Sequence, residues 1–149
     1  MLITMQKINI GRHATAQINM LANKLMLKSS AAYTQNFGIG MMEWRVISVL
    51  SDRPNSSLQS ISDILGLDKA AVSRTVKKLE EKQYISVAGD KSDKRVYVIN
   101  LTQTGKQLYE VAADFAIDRE KQLLENLNDD EKDQLFRLLK ILRSKVDEM

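Results

Sequence analysis

Cysteine is absent from this sequence, and histidine occurs once, as His13. The first absence removes disulfide frameworks, thiolate zinc sites, catalytic thiols and cysteine redox switches. The second leaves a Ser-His-Asp triad only one residue to run through and excludes a multi-histidine metal site within one chain. There is also no glycine-rich phosphate loop, and no pair of carboxylates stands apart from the solvated helix faces. Neither an enzyme nor a cofactor or metal site is expected. No run approaches the roughly 20 apolar residues of a membrane span, and Met1 to His13 lacks the sustained apolar stretch of a secretory signal. With one proline and six glycines among 149 residues, 44% hydrophobic and 28% charged, the sequence reads as one cytoplasmic globular domain.

Charge is nearly balanced at a formal +3, so its placement matters more than its sum. Between Asp68 and Arg95 stand eight basic residues and five acidic ones, which puts the whole excess into that short window. From Ala116 to Met149 seven basic residues face nine acidic ones, a poor surface for a polyanion. A local basic patch on a balanced chain fits nucleic-acid contact, although a plain solvated helix face has the same composition.

Hydrophobic periodicity supplies the elements around that patch. From His13 to Phe37 there is no proline or glycine, and Ile18, Leu21, Ala22 and Leu25 recur at helical spacing, predicting one long amphipathic helix. Gly38 and Gly40 interrupt it. The segment 41–50 is apolar at seven of ten positions and predicts a helix buried on most sides. Ser56 and Gln59 have capping-box spacing ahead of a short helix from about Leu58 to Leu65, with Leu58, Ile61 and Leu65 inward and Gly66 as its stop. Asp68 caps a second helix through about Gln83, whose Val72, Val76 and Leu79 form an apolar stripe opposite Ala70, Arg74 and Lys77, with Ser73 and Lys78 near the edges. The period then changes to that of strands: 84–88 and 95–101, rich in β-branched and aromatic residues, flank a charged tip and predict a β-hairpin. Thr102 caps a helix to about Leu127, and Asn128 with Glu131 opens a last one bearing Leu135, Leu138, Leu139, Leu142 and Val146.

The fold class this order predicts is mainly α with a small β-hairpin wing: a winged helix-turn-helix with long terminal dimerisation helices. The second helix of the motif fits the major groove of double-stranded DNA, with Lys69, Ala70, Ser73, Arg74, Lys77 and Lys78 as its DNA-binding residues; Ser73 and Arg74 in its first half are placed for base readout, and Lys77 and Lys78 for phosphates. The wing adds Lys91, Lys94 and Arg95. The terminal stripes are too broad to be buried by so small a module, which predicts a homodimer with reading helices about 34 Å apart, one turn of DNA.

The residues Glu43-Trp44-Arg45-Val46, Ile61 through Lys69, Val72-Ser73-Arg74, Lys78-Leu79-Glu80, Asp93-Lys94-Arg95 and Leu101-Thr102-Gln103-Thr104-Gly105 together resemble the MarR family of bacterial transcriptional regulators. The likeness extends over nearly the whole chain. It implies one MarR-like domain over 1–149, with 1–37 and 103–149 dimerising and 41–101 binding DNA. It further implies a homodimer on a pseudo-palindromic operator, a repressor in the usual case, released by a small aromatic or phenolic effector. Asp93 and Arg95 are spaced so that the carboxylate can orient the guanidinium at the wing tip. The first wing strand lacks the basic residue that many relatives carry there, which implies either a weaker grip by the wing or reliance on Lys91 and Lys94 instead.

Trp44 suits core packing first and a pocket wall second, and the implied effector cleft would hold Met41, Trp44, Arg45 and His13. The competing function is a winged-helix module that binds another protein and no DNA. Such a module has no need of Arg74, Lys77 and Lys78 aligned with a basic wing.

Overall fold

A computed structural model describes residues 7–93 and 95–149 of the chain. After a 3-10 turn at Ile10–Arg12, the elements are α1 (Ala14–Phe37), α2 (Met41–Asp52), α3 (Leu58–Leu65), α4 (Lys69–Glu81), β1 (Ile85–Gly89), β2 (Tyr97–Leu101), α5 (Gln103–Leu124) and α6 (Asp129–Asp147). They fall into two compact units, Met1–Tyr109 and Glu110–Met149. No helix among the described residues is long and apolar enough to cross a membrane.

The first unit has its core where α2, α3, α4 and the hairpin meet. Val46, Ile47 and Leu50 of α2, Ile61 of α3, Val72 and Leu79 of α4, and Ile85 and Ile99 of the strands are all fully or nearly fully buried. The inward residues of α4 are the predicted stripe plus Thr75, whose hydroxyl donates to the Ala71 carbonyl at 3.0 Å and so needs no outside partner. Leu58 and Leu65 are only half-buried, so Ile61 is the main anchor of α3. Beside this core Trp44 is stacked between Tyr33 of α1 at 5.3 Å and Tyr109 of α5 at 5.7 Å.

Helix ends follow local hydrogen-bond rules. Asp68 accepts from the Ala71 N–H at 2.8 Å, Thr102 from Gly105 at 3.0 Å, and Asn128 and Glu131 exchange bonds at 2.9 Å. Gly66 closes α3 in the left-handed conformation, φ +63°. One cap differs from expectation. Ser57, not Ser56, caps α3, accepting from Ser60 at 3.1 Å, while the Ser56 hydroxyl donates to the Arg53 carbonyl. The reason lies in the wing, since the Ser56 carbonyl accepts from the Ile99 N–H at 2.8 Å and adds a bridge beside β2.

The hairpin pairs Ile85 with Leu101 through Gly89 with Tyr97. β2 starts two residues later than expected, at Tyr97; ahead of it Asp93 accepts from the Arg95 N–H, and the Asp93 carbonyl accepts from the Val96 N–H. α4 and α5 likewise stop a turn or less before their predicted ends, at Glu81 and Leu124. In the second unit no residue of α6 is buried, and Leu138, Leu139, Ile141, Leu142 and Val146 are all exposed.

Candidate nucleic-acid interface

Two short polar turns, one at each end of α4, set how that helix is presented. Gly66 and the Asp68 cap bring it in after only three residues from α3. At its far end Gln83 takes a left-handed φ of +63° and its carbonyl accepts from the Thr102 hydroxyl, which ties the exit of α4 to the exit of the hairpin. Between those ends Lys69, Ala70, Ser73, Arg74, Lys77 and Lys78 are all exposed. None of the ion pairs among the described residues involves the five that carry polar groups.

The exposed side of α4 divides into two rows. Lys69, Ser73 and Lys77, spaced at i, i+4 and i+8, line an open groove of about 550 Å³ whose opposite wall is Arg95 and Tyr97 of the wing. Ala70, Arg74 and Lys78 form the second row, one residue further round the helix, and do not line that groove. The structure thus brings Arg95 to the same groove as three α4 residues that precede it by 18 to 26 positions. Glu80 also lines the groove, so its basic character weakens toward the C-terminal end of α4.

At the wing tip the carboxylates do local work. Asp90 accepts from the Ser92 backbone N–H and hydroxyl, and these bonds hold its carboxyl below the ordinary range. By linkage, whatever these Asp90 bonds contribute is fully present at neutral pH and is lost as pH falls through the carboxylate range. Asp93 accepts from the backbone N–H of Arg95 at 3.0 Å, and no ion pair joins its carboxylate to the Arg95 guanidinium. Here Asp93 bonds the backbone that carries Arg95 and not its guanidinium. Lys91 is exposed, and Lys94 lies outside the described residues. Asp93→Ala is expected to weaken DNA binding by the equivalent of about 0.5–1.5 kcal/mol, while Asp93→Asn, whose amide oxygen can accept the same bond, stays near wild type. Equal damage from both in a binding titration would restore the guanidinium explanation.

Lys82 is one of the eight basic residues between Asp68 and Arg95, and the structure holds it in a part-buried contact. Its ammonium donates to Glu43 at 2.7 Å and to the Gly38 carbonyl at 3.1 Å. Glu43 is buried and also accepts from the Gly40 N–H at 2.6 Å. The Gly40-to-Glu43 spacing is half of a capping box and was legible locally; the pairing with a lysine 39 residues away was not.

The four residues expected at an effector cleft are not gathered in one place. Trp44 is part of the aromatic stack, with Met41 and Arg45 half-buried on the same helix. His13 caps the far end of α1, accepting from the Ala16 N–H, about 30 Å along the helix from Tyr33 at 1.5 Å per residue. Within one chain it cannot share a small ligand with Trp44.

This order of elements, with exposed cations on α4 facing a wing, is also that of known regulators. The MarR family description matches residues 37–96. The crystal structure of a MarR/EmrR family transcriptional regulator from Acinetobacter sp. ADP1 is 75% identical, aligned over 95% of this chain and 100% of that one with a TM-score of 0.91. This chain belongs to the MarR family. Its similarity extends to the HTH-type transcriptional regulator YwoH of Bacillus subtilis (strain 168), 26% identical over 132 residues, which is 89% of this chain and 95% of YwoH. S. aureus MepR, solved in complex with DNA, has the same fold, with a TM-score of 0.78 at 21% identity over 90% of this chain and 96% of that one. MarR proteins are DNA-binding transcriptional regulators and not enzymes, and the winged helix-turn-helix places this chain among them.

Proposed function

We propose that the chain acts as a homodimeric repressor that reads a pseudo-palindromic operator with one α4 per half-site and is released by a small organic effector. In this division of labour 41–101 contacts DNA, and 1–37 with 103–149 pairs the protomers. The observation that carries the reading is the cationic exposed side of α4 facing a groove completed by Arg95. Pairing is supported by the apolar residues left in water on α1 (Ile18, Leu21 and Leu25) and along α6.

On this reading Arg74 meets a base edge, since it stands on the outermost row between Ala70 and Lys78, and Lys77 in the groove meets a phosphate. Arg74→Ala is expected to cost about 1–3 kcal/mol on a duplex selected from a random pool and to relax preference at one base pair per half-site. Lys77→Ala should weaken all duplexes alike and reduce the slope of log affinity against log salt by about one. The base-reading role fails if Arg74→Ala weakens selected and random DNA by the same factor.

An effector is placed at the start of α2. Arg45 is half-buried and in none of the described ion pairs, the adjacent Met41 is pliable, and the tyrosine–tryptophan stack offers an aromatic edge. An aromatic carboxylate that prefers the DNA-incompetent arrangement by about 1.4 kcal/mol lowers operator affinity tenfold. Titration with such acids and with phenols is expected to change Trp44 fluorescence in step with operator release. Reversible release by zinc or peroxide, with the organic ligands inert, would contradict it.

A further inference from the structure

The Glu43–Lys82 pair differs from the other ion pairs described. Those others join residues one to three apart, with both side chains at least a third exposed. Glu43 and Lys82 are 39 positions apart, and the Glu43 side chain is only 9% exposed. Three helix ends meet there. Gly38, whose carbonyl accepts from Lys82, is the left-handed C-cap of α1 at φ +66°. Glu43 sits in the first turn of α2, and its second oxygen accepts from the N-cap Gly40. Lys82 is the C-cap residue of α4.

The electrostatics of the three ends agree. A carboxylate favours a helix N-terminus and a cation favours a helix C-terminus, and the ammonium lies at the C-terminus of α1 while the carboxylate lies at the N-terminus of α2. A charge-assisted bond to a mostly buried carboxylate is also costly to break, because the remaining charge is left without its partner. Moving the C-terminal end of α4 away from the α1–α2 junction therefore requires breaking the pair. That end immediately precedes Gln83 and the hairpin, so the same junction sets the exit of the reading helix into the wing.

We infer that Glu43 and Lys82 are positioning residues for DNA recognition: the pair sets α4 against the α1–α2 junction, and Lys82 does not contact phosphate. The inference rests on the reading of α4 as the helix that enters the major groove. It makes the α1–α2 turn a place from which a displacement of α1 reaches α4, through one named contact.

The test uses the full-length protein on a duplex selected from a random pool and on a random duplex, each titrated across salt concentration. Selective, salt-dependent binding by the wild type is the entry condition, and its absence would overturn the proposed function itself. Given that binding, Lys82→Met, which keeps the apolar stem, should lose about 3- to 30-fold on the selected duplex and much less on the random one, with the salt slope unchanged. Glu43→Gln, which retains an acceptor for Gly40, should do the same, and the double variant should be no worse than the more damaging single one. Lys82→Arg should restore most of the preference. A salt slope lowered by about one in Lys82→Met would make Lys82 a phosphate contact and overturn the inference. So would a lower melting temperature with unchanged preference well below it, which is the mark of a merely structural pair. Lys82 is partly exposed, so its variants remain informative even where Glu43→Gln does not fold.

Discussion

Removing residues 129–149 is expected to leave a monomer whose operator affinity is lower by about 10²–10⁴-fold, the range by which tethering a second site raises avidity. The segment removed is α6 with the two residues after it, a helix with no buried residue and a series of exposed apolar side chains from Phe136 to Val146. A unit of about 40 residues built on two helices is too small to be stabilised by its own core. Each half-exposed leucine gains roughly 1 kcal/mol on being covered, so a handful offsets several kcal/mol of the cost of association. Sedimentation and binding to one-half-site and two-half-site duplexes check the result together. The truncated protein should bind the two duplexes alike, whereas the full chain should prefer the longer one. A soluble monomer that kept full operator affinity would contradict dimeric reading. A Leu138→Glu, Leu142→Glu variant applies the same test with the helix left in place.

Gly105→Ala is expected to destabilise the protein by about 3 kcal/mol and to lower its melting temperature by roughly 10 °C. A Cβ at this position would overlap the carbonyl oxygen of Tyr84. That oxygen belongs to backbone, and it already accepts the Thr102 N–H at 3.0 Å, so it cannot swing aside as a flexible side chain would. The strand β1, the cap of α5 and the left-handed Gln83 must shift together. Gly38→Ala is the control. Gly38 has open space around it and only its φ of +66° to penalise a side chain, a cost of about 1–2 kcal/mol. Thermal unfolding in which the two variants melt together would show that the Tyr84 contact does not constrain position 105.

Much of the architecture could be read without coordinates because its signals are local. A cap is a side chain meeting an N–H three residues on, so Asp68, Thr102 and the Asn128–Glu131 box are written within four residues of sequence. The stripe Val72, Val76 and Leu79 obeys the helical period, and the same period turned through half a circle identifies Arg74 and Lys77 as exposed. Gly66 marks its turn because a left-handed helix end favours glycine. These rules were enough to place a helix-turn-helix and a wing in the right order.

What only the tertiary structure decided involves partners far apart in the chain. Ser56 and Ser57 are equally good caps by type, and the choice between them is made by Ile99, which claims the Ser56 carbonyl from the wing. Trp44 becomes the middle of a stack because α1 and α5 bring Tyr33 and Tyr109 to its two faces. His13 is separated from it by the length of α1, a distance that residue types do not disclose. Lys82 has the composition of the basic window yet is paired with Glu43, and Asp93 grips a backbone N–H where its spacing suggested a guanidinium. The sequence by itself determined the elements, most of their caps and the outward face of α4, since hydrogen bonds and periodicity act over a few residues. Which cation remains available for DNA and which is held at a helix junction was decided by packing, since a pair 39 residues apart leaves no trace in any local pattern.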